Sequence, residues 1–419
     1  MSDYELSFGT LDVTQFEKPL PEIYDLDRRF NHTYIIGKTG KGKSTLMENM
    51  ALYDINFGLS VIFIDPSGVS CRKIYQNIED KDRVIYISIE QPKVINPIHK
   101  EGYKLDILIQ EFIQILDVLI TLTASNPEST VMMRLIIGHA MRAISREDQK
   151  NIKFINDLLL NRETRKALSR QLEQEKRQHT EEYRFWNTFD LPANWQRSES
   201  AQRVAARLSE ISSGEMKQFT IGKNELDIET IVKNKKVILV DTSSMTKNSK
   251  IYLTNLLVYA VYSYALFSEN MFVKNPDPLL VYVDEFSIVV SDLFDELLAT
   301  TRKQSIGFVL AHQNFSQIPK NILDTVMGVV DTMVTFACGD TEAKRFSEIY
   351  DVKPRELMDL QPYSAWIRLG NENILTDLYE PIIDYVPPLP ESIVSPAPVD
   401  PETEFWFLAD EEDSWISLS

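Results

Sequence analysis

Apolar residues fall into two kinds of run along this chain, and the two divide it. Short continuous runs at 33–36, 60–64, 83–87, 237–241, 279–284, 307–311, 332–336 and 365–369 read as strands. Several lack a polar face, as strands covered by helices on both sides do. Stretches of helical spacing separate them, which predicts right-handed crossovers and an α/β fold with a mostly parallel sheet. From about 105 to 214 the pattern changes. Residues 131–144 and 155–178 have helical spacing, the second dense in charge, and 198–213 repeats it with Arg203 and Arg207 four apart on one face. No convincing strand interrupts this stretch, so it reads as an all-α subdomain inserted into the α/β domain. There is no internal repeat.

One apolar stretch tests the limits of that reading. Residues 251–268 run for 18 positions without a charge, the threshold for a membrane span. The stretch also holds Thr254, Asn255, Ser263 and several tyrosines, and it lies between two strand runs. A buried crossover helix is predicted there, and no membrane span. Beyond 385 the pattern stops. Val386-Pro387-Pro388-Leu389-Pro390 and Ser395-Pro396-Ala397-Pro398 read as an extended linker. Acidic residues mixed with Phe405, Trp406, Phe407 and Trp415 follow. Such a segment orders on a protein partner or folds back on its own domain. The expected organisation is a lead-in at 1–30, a nucleotide-binding α/β domain at 31–104 and 215–385, a helical insertion at 105–214, and an acidic, Pro-rich tail at 386–419.

Composition adds little except through charge. The chain has 419 residues, 43% hydrophobic and 25% charged, which is ordinary for a globular protein. Its net charge of −18 argues against a nucleic-acid binder until the distribution is considered. Residues 371–419 carry twelve acids and no Lys or Arg, and residues 1–30 contribute −4, so residues 31–370 hold only −2. A basic stripe in a near-neutral core remains open, with Lys150, Lys153, Arg203, Arg207 and Lys217 as candidates. The two cysteines, Cys71 and Cys338, form no CxxC pair, so neither a zinc knuckle nor a disulfide framework is expected. The acidic N-terminus lacks the apolar run of a signal peptide. A cytoplasmic setting with reduced thiols is expected.

The chemistry is concentrated in a few motifs. The run 33–36 leads into Gly37-Lys38-Thr39-Gly40-Lys41-Gly42-Lys43-Ser44-Thr45, and helical spacing continues from Leu46. Strand, Gly-rich loop and helix together make a P-loop. Its backbone N–H groups and helix N-terminus cradle phosphates, Lys43 supplies a point charge, and the Ser44 hydroxyl ligates Mg²⁺. The run 279–284 ends in Asp284-Glu285. Asp284 is the expected Mg²⁺ partner, and Glu285 the group that polarises the attacking water. The bland alternative is an Asp-Glu pair capping the next helix. The run 307–311 ends in His312-Gln313, where Gln313 is a candidate γ-phosphate sensor or an amide satisfied by its own loop. Arg302 closes the intervening helix. It is either a finger reaching a neighbouring subunit's phosphate or a cation favoured by the helix dipole.

These motifs, in this order, resemble the type IV secretion coupling proteins of the HerA–FtsK superfamily. The resemblance rests on the approach from Arg29 to Gly40, on Ile64-Asp65-Pro66-Ser67-Gly68, and on Asn96-Pro97-Ile98. It continues through Val281 to Phe286, Thr301-Arg302-Lys303, and the stretch from Leu310 to Ile318. It covers roughly residues 20–385. It implies a RecA-like P-loop fold, ATP and Mg²⁺ as cofactors, and a hexameric motor that moves DNA with ATP bound between subunits. Arg302 would be its finger and Gln313 its sensor. Coupling proteins usually begin with transmembrane helices, which this sequence lacks, so a partner would supply any recruitment to the inner membrane. HerA-type helicases usually carry an N-terminal β-barrel, for which 30 residues leave no room. A viral packaging or repair motor of the same superfamily is the runner-up. A nucleotide-gated adaptor that recruits protein substrates is a third reading.

Overall fold

A computed structural model describes residues 9–10, 26–96, 98, 105, 108–110, 112–113, 116, 130–144, 152–267, 276–289, 294–378 and 381. The acidic tail, most of the lead-in, Lys150 and Pro97 lie outside them.

The parallel part of the sheet is built from the apolar runs. These are β2 (Thr33–Ile36), β3 (Ser60–Asp65), β4 (Val84–Ile87), β5 (Val237–Asp241), β6 (Leu279–Asp284), β7 (Ile306–His312) and β8 (Thr332–Thr335). β2, β3, β5, β7 and β8 are buried along their whole length. Three antiparallel strands extend one edge: β9 (Ser364–Leu369), β10 (Glu372–Leu378) and the two-residue β1 (Gly9–Thr10). The order is β1-β10-β9-β8-β2-β7-β6-β3-β5-β4. The fold is a mostly parallel α/β sheet of the RecA-like P-loop type. β10 was not anticipated. Its exposed and buried positions alternate, as on a half-covered edge, and its sequence, Glu-Asn-Ile-Leu-Thr-Asp-Leu, offers no apolar run.

After the short α1 (Leu26–Arg29), crossover helices α2 (Lys43–Phe57), α3 (Val69–Asn77) and α11 (Lys247–Phe267) cover the sheet, as do α12 (Phe294–Arg302), α13 (Lys320–Val329) and α14 (Asp340–Tyr350). α11 contains residues 251–267 of the charge-free stretch, and its Thr254, Asn255 and Ser263 are buried against protein. No helix among the described residues is long and apolar enough to cross a membrane. The two apolar cores, one on each face of the sheet, contain Cys338 and Cys71 respectively, both free and buried.

Between β4 and β5 the described residues form helices and their connecting loops, with no strand. The main elements are α4 (Thr130–Ile144), α5 (Ile152–Leu160), α6 (Arg162–Gln174), α7 (Glu181–Asn187) and α8 (Trp195–Ser212), with the short helices α9 (Lys217–Thr220) and α10 (Ile228–Lys233) after them. The spacing at 155–178 suggested one helix, and the structure corrects this. Asn161 caps a new helix, its side chain accepting from Glu163 N at 2.8 Å.

A buried ion pair ties α2 to the sheet. Arg29 Nη2 donates to Asp54 Oδ2 at 2.5 Å, and both side chains are fully buried. The Tyr282 hydroxyl of β6 joins the pair. The network clamps the chain entering β2 to the far end of the P-loop helix. Beside it His32, at φ 62°, accepts from Phe308 N through Nδ1 at 3.1 Å and donates through Nε2 to Leu298 O at 2.9 Å. Burial lowers its pKa to about 4, so it is a neutral clasp between β7 and α12.

Candidate active site

Parallel strands place their C-terminal ends, and the loops that follow, at one edge of the sheet. There β2 runs into the P-loop. The loop lies against the ends of β8 and β9: Lys38 N donates to Ala337 O at 2.8 Å, and Tyr363 N to Lys41 O at 3.0 Å. Two glycines have steric reasons. A Cβ at Gly37 would sit 2.5 Å from Phe336 Cβ, and one at Gly42, where φ is 115°, would meet the rings of Phe336 and Tyr363 at 3.0 and 3.1 Å. Lys43 opens α2 and is nearly buried, its Nζ donating to Lys38 O at 3.2 Å across the loop. Burial lowers its pKa, while Asp284 and Glu285 pull it back up.

β6 and β7 bring the remaining groups. Ser44 Oγ donates to Asp284 Oδ2 at 2.9 Å. Burial raises the Asp284 pKa to about 6, with the Asp65 charge adding to it and Ser44 and Lys43 opposing. Glu285 is left-handed, at φ 82° and ψ 64°, a conformation a side-chain-bearing residue adopts at a cost of about 1–3 kcal/mol. Its N–H donates to Ala311 O at 3.1 Å, and its Oε1 accepts from Ser287 Oγ at 2.6 Å. The side chain makes no cap to the short turn Phe286–Ile288 that follows. Gln313 bridges the two halves of the site. Its Nε2 approaches Glu285 Oε2 at 3.4 Å, and its Oε1 accepts from Thr39 Oγ1 of the P-loop at 3.1 Å. The amide is therefore tied to the P-loop and the acid.

Sequence reasoning did not single out His312 or Tyr363. His312 is buried, its Nε2 3.2 Å from the Tyr34 hydroxyl. Burial first, then the Lys43 charge, hold its pKa down to about 3. It supports the Gln313 loop as a neutral ring. Tyr363 reaches the P-loop across more than 300 residues, and no periodicity marks it.

Arg302 is not with these groups. It ends α12, which returns from the C-terminal end of β6 to the start of β7, and it is exposed. Its charge acts on His32, at the start of β2, whereas Lys43 lies beyond the end of β2. The length of β2 alone, roughly 13 Å, separates the two ends. The described basic candidates of the helical region also sit apart. Arg203 pairs with Glu199 at 2.7 Å and Arg207 with Glu210 at 2.9 Å. Lys153 is exposed and Lys217 half-buried.

Among the described residues no cluster of His, Cys, Asp and Glu could hold a metal ion by itself. The Ser44–Asp284 pair is instead the hydroxyl-plus-carboxylate oxygen set that suits Mg²⁺ beside a phosphate. The fold and this constellation define a RecA-like P-loop ATPase. The family model described as the central domain of helicase HerA matches residues 24–261, more than half of the chain, and the chain belongs to that family.

Solved structures agree on the fold. The plasmid coupling protein TrwB, in complex with the non-hydrolysable ATP analogue ADPNP, superposes with a TM-score of 0.70 at 14% identity, covering 94% of this chain and 98% of that one. TrwB in complex with ADP and Mg²⁺ gives 0.67 at 15% identity, covering 90% and 94%. VirB4 of Thermoanaerobacter pseudethanolicus gives 0.60 at 13% identity, covering 90% and 97%. No curated protein matches the chain by sequence.

Proposed function

We propose that this chain is a ring-forming motor that couples ATP hydrolysis to DNA translocation, of the conjugative coupling type. One observation carries the hydrolytic part: Gln313 links Thr39 of the P-loop to Glu285 at the end of β6. An acid held beside a phosphate cradle, and reported on by an amide, suits an enzyme that senses and cleaves a γ-phosphate better than a passive binding loop.

In this reading the P-loop N–H groups and Lys43 bind the triphosphate. Ser44 and Asp284 would hold Mg²⁺, which when bound would supply positive charge beside the phosphates. Glu285 accepts a proton from the attacking water while Gln313 orients that water. The placement of Arg302 at the opposite end of β2 keeps it from this chain's own phosphate site, so a finger role for it would be in trans. Such a role needs a ring, and the resemblance to coupling proteins implies a hexamer.

ATPase activity, measured at low salt with and without single- and double-stranded DNA and with assembly state recorded, tests the proposal. DNA should stimulate turnover, and DNA binding should weaken steeply as salt rises. Absence of both would sink the motor. The pairing of Arg203 and Arg207 with acids keeps an adaptor reading in play. An adaptor would hydrolyse ATP without regard to DNA and bind a protein through residues 386–419.

A further inference from the structure

Tyr363 is 40% exposed, while Phe336, the other ring touching the P-loop glycines, is fully buried. Its backbone is left-handed at φ 65°, a conformation that a residue with a side chain rarely adopts. Two hydrogen bonds hold it there: Tyr363 N to Lys41 O at 3.0 Å and Leu378 N to Tyr363 O at 2.8 Å. One fixes the residue to the P-loop and the other to the antiparallel edge of the sheet. Gly42 leaves room for the ring, since a Cβ there would come within 3.1 Å of Tyr363 Cδ1 and 3.4 Å of its Cα.

The sheet order gives the ring a purpose. β2 and its P-loop lie between β7 on one side and β8, then β9, on the other. Glu285 and Gln313 follow β6 and β7, so the terminal phosphate faces that side. A nucleotide running across the loop then carries its sugar and base toward the β8–β9 side. Tyr363 immediately precedes β9. We propose that the exposed face of Tyr363 is the platform on which the base of the nucleoside triphosphate stacks. The inference rests on the nucleotide-site reading above and adds the residue that holds the base. Stacking tolerates any base, since each presents a π face, so the platform selects nucleotides over inorganic polyphosphate and discriminates weakly among bases.

Three measurements on the full chain test this: the KM for ATP, the inhibition constant of ADP, and the inhibition constant of inorganic tripolyphosphate. Tyr363→Ala should raise the first two about tenfold, with kcat within about twofold. Tripolyphosphate, which has no base, should inhibit as in the wild type. Tyr363→Phe keeps the ring and should restore both nucleotide values. An unchanged KM in Tyr363→Ala would overturn the proposal. Equal weakening of ATP and tripolyphosphate would also overturn it, because the ring would then only prop the loop. A wild-type chain that bound neither ATP nor tripolyphosphate would overturn the nucleotide-site reading and this inference together.

Discussion

The strand-end edge of the sheet and the helical stretch between β4 and β5 handle charge in opposite ways. At the strand-end edge, charged and polar groups are drawn together from distant parts of the chain, Lys43 and His312 buried, Ser44, Asp284 and Gln313 half-buried, and Thr39 exposed. Ser44 meets Asp284, and Thr39 meets Gln313, each across more than 200 residues. Burial shifts the pKa of Lys43, Asp284 and His312. In the helices, Arg203 and Arg207 are paired within one turn of their own helix, near solvent. Buried, long-range polar groups are expensive to hold and are retained for what they do. Local surface pairs cost little and contribute little.

Breaking a buried partner should therefore be severe. Arg29→Met removes the guanidinium that faces the buried Asp54 carboxylate. It should destabilise the fold by about 3–5 kcal/mol in chemical denaturation. A loss below about 1 kcal/mol would show that the buried ion pair does not brace α2 against the sheet.

A smaller effect should follow pH through His32. The unfolded chain takes up a proton near 6.5, the folded chain only near 4. The clasp's contribution is full above about pH 6.5 and is lost as pH falls toward 4, by up to about 1.4 kcal/mol per unit. Comparing denaturation midpoints across that range, His32→Gln should flatten this part of the profile. A variant with the wild-type slope would mean that other groups set it.

The smallest stability effect belongs to the helices. Arg203→Ala combined with Arg207→Ala should shift stability by under about 0.5 kcal/mol. If these residues line a DNA channel, the salt dependence of DNA binding should also become shallower, by about one unit of log–log slope for each lost phosphate contact. A large loss of stability would erase the contrast between the two regions.

Much of the sheet was legible because its parallel strands are continuous apolar runs, and the P-loop and Asp284-Glu285 because their chemistry is contiguous in sequence. β10 was missed because its apolar residues alternate with polar ones on an edge. The break at Asn161 was missed because amphipathic spacing continues across it while a single side chain caps the new helix. Arg29, Asp54 and Tyr282 each look ordinary in their local sequence, and only the fold, which brings residues 253 positions apart into contact, reveals the network. The same holds for Tyr363, whose link to Lys41 depends on β9 returning to the P-loop.

Glu285→Gln tests the central claim most directly, that the strand-end edge is a hydrolytic site. Glu285 occupies a strained backbone position and touches Gln313, so the amide variant keeps its shape and removes its basicity. ATP affinity should stay within about threefold of the wild type while turnover falls about a hundredfold or more. Turnover at the wild-type rate with ATP bound would contradict the account and remove Glu285 from the chemistry.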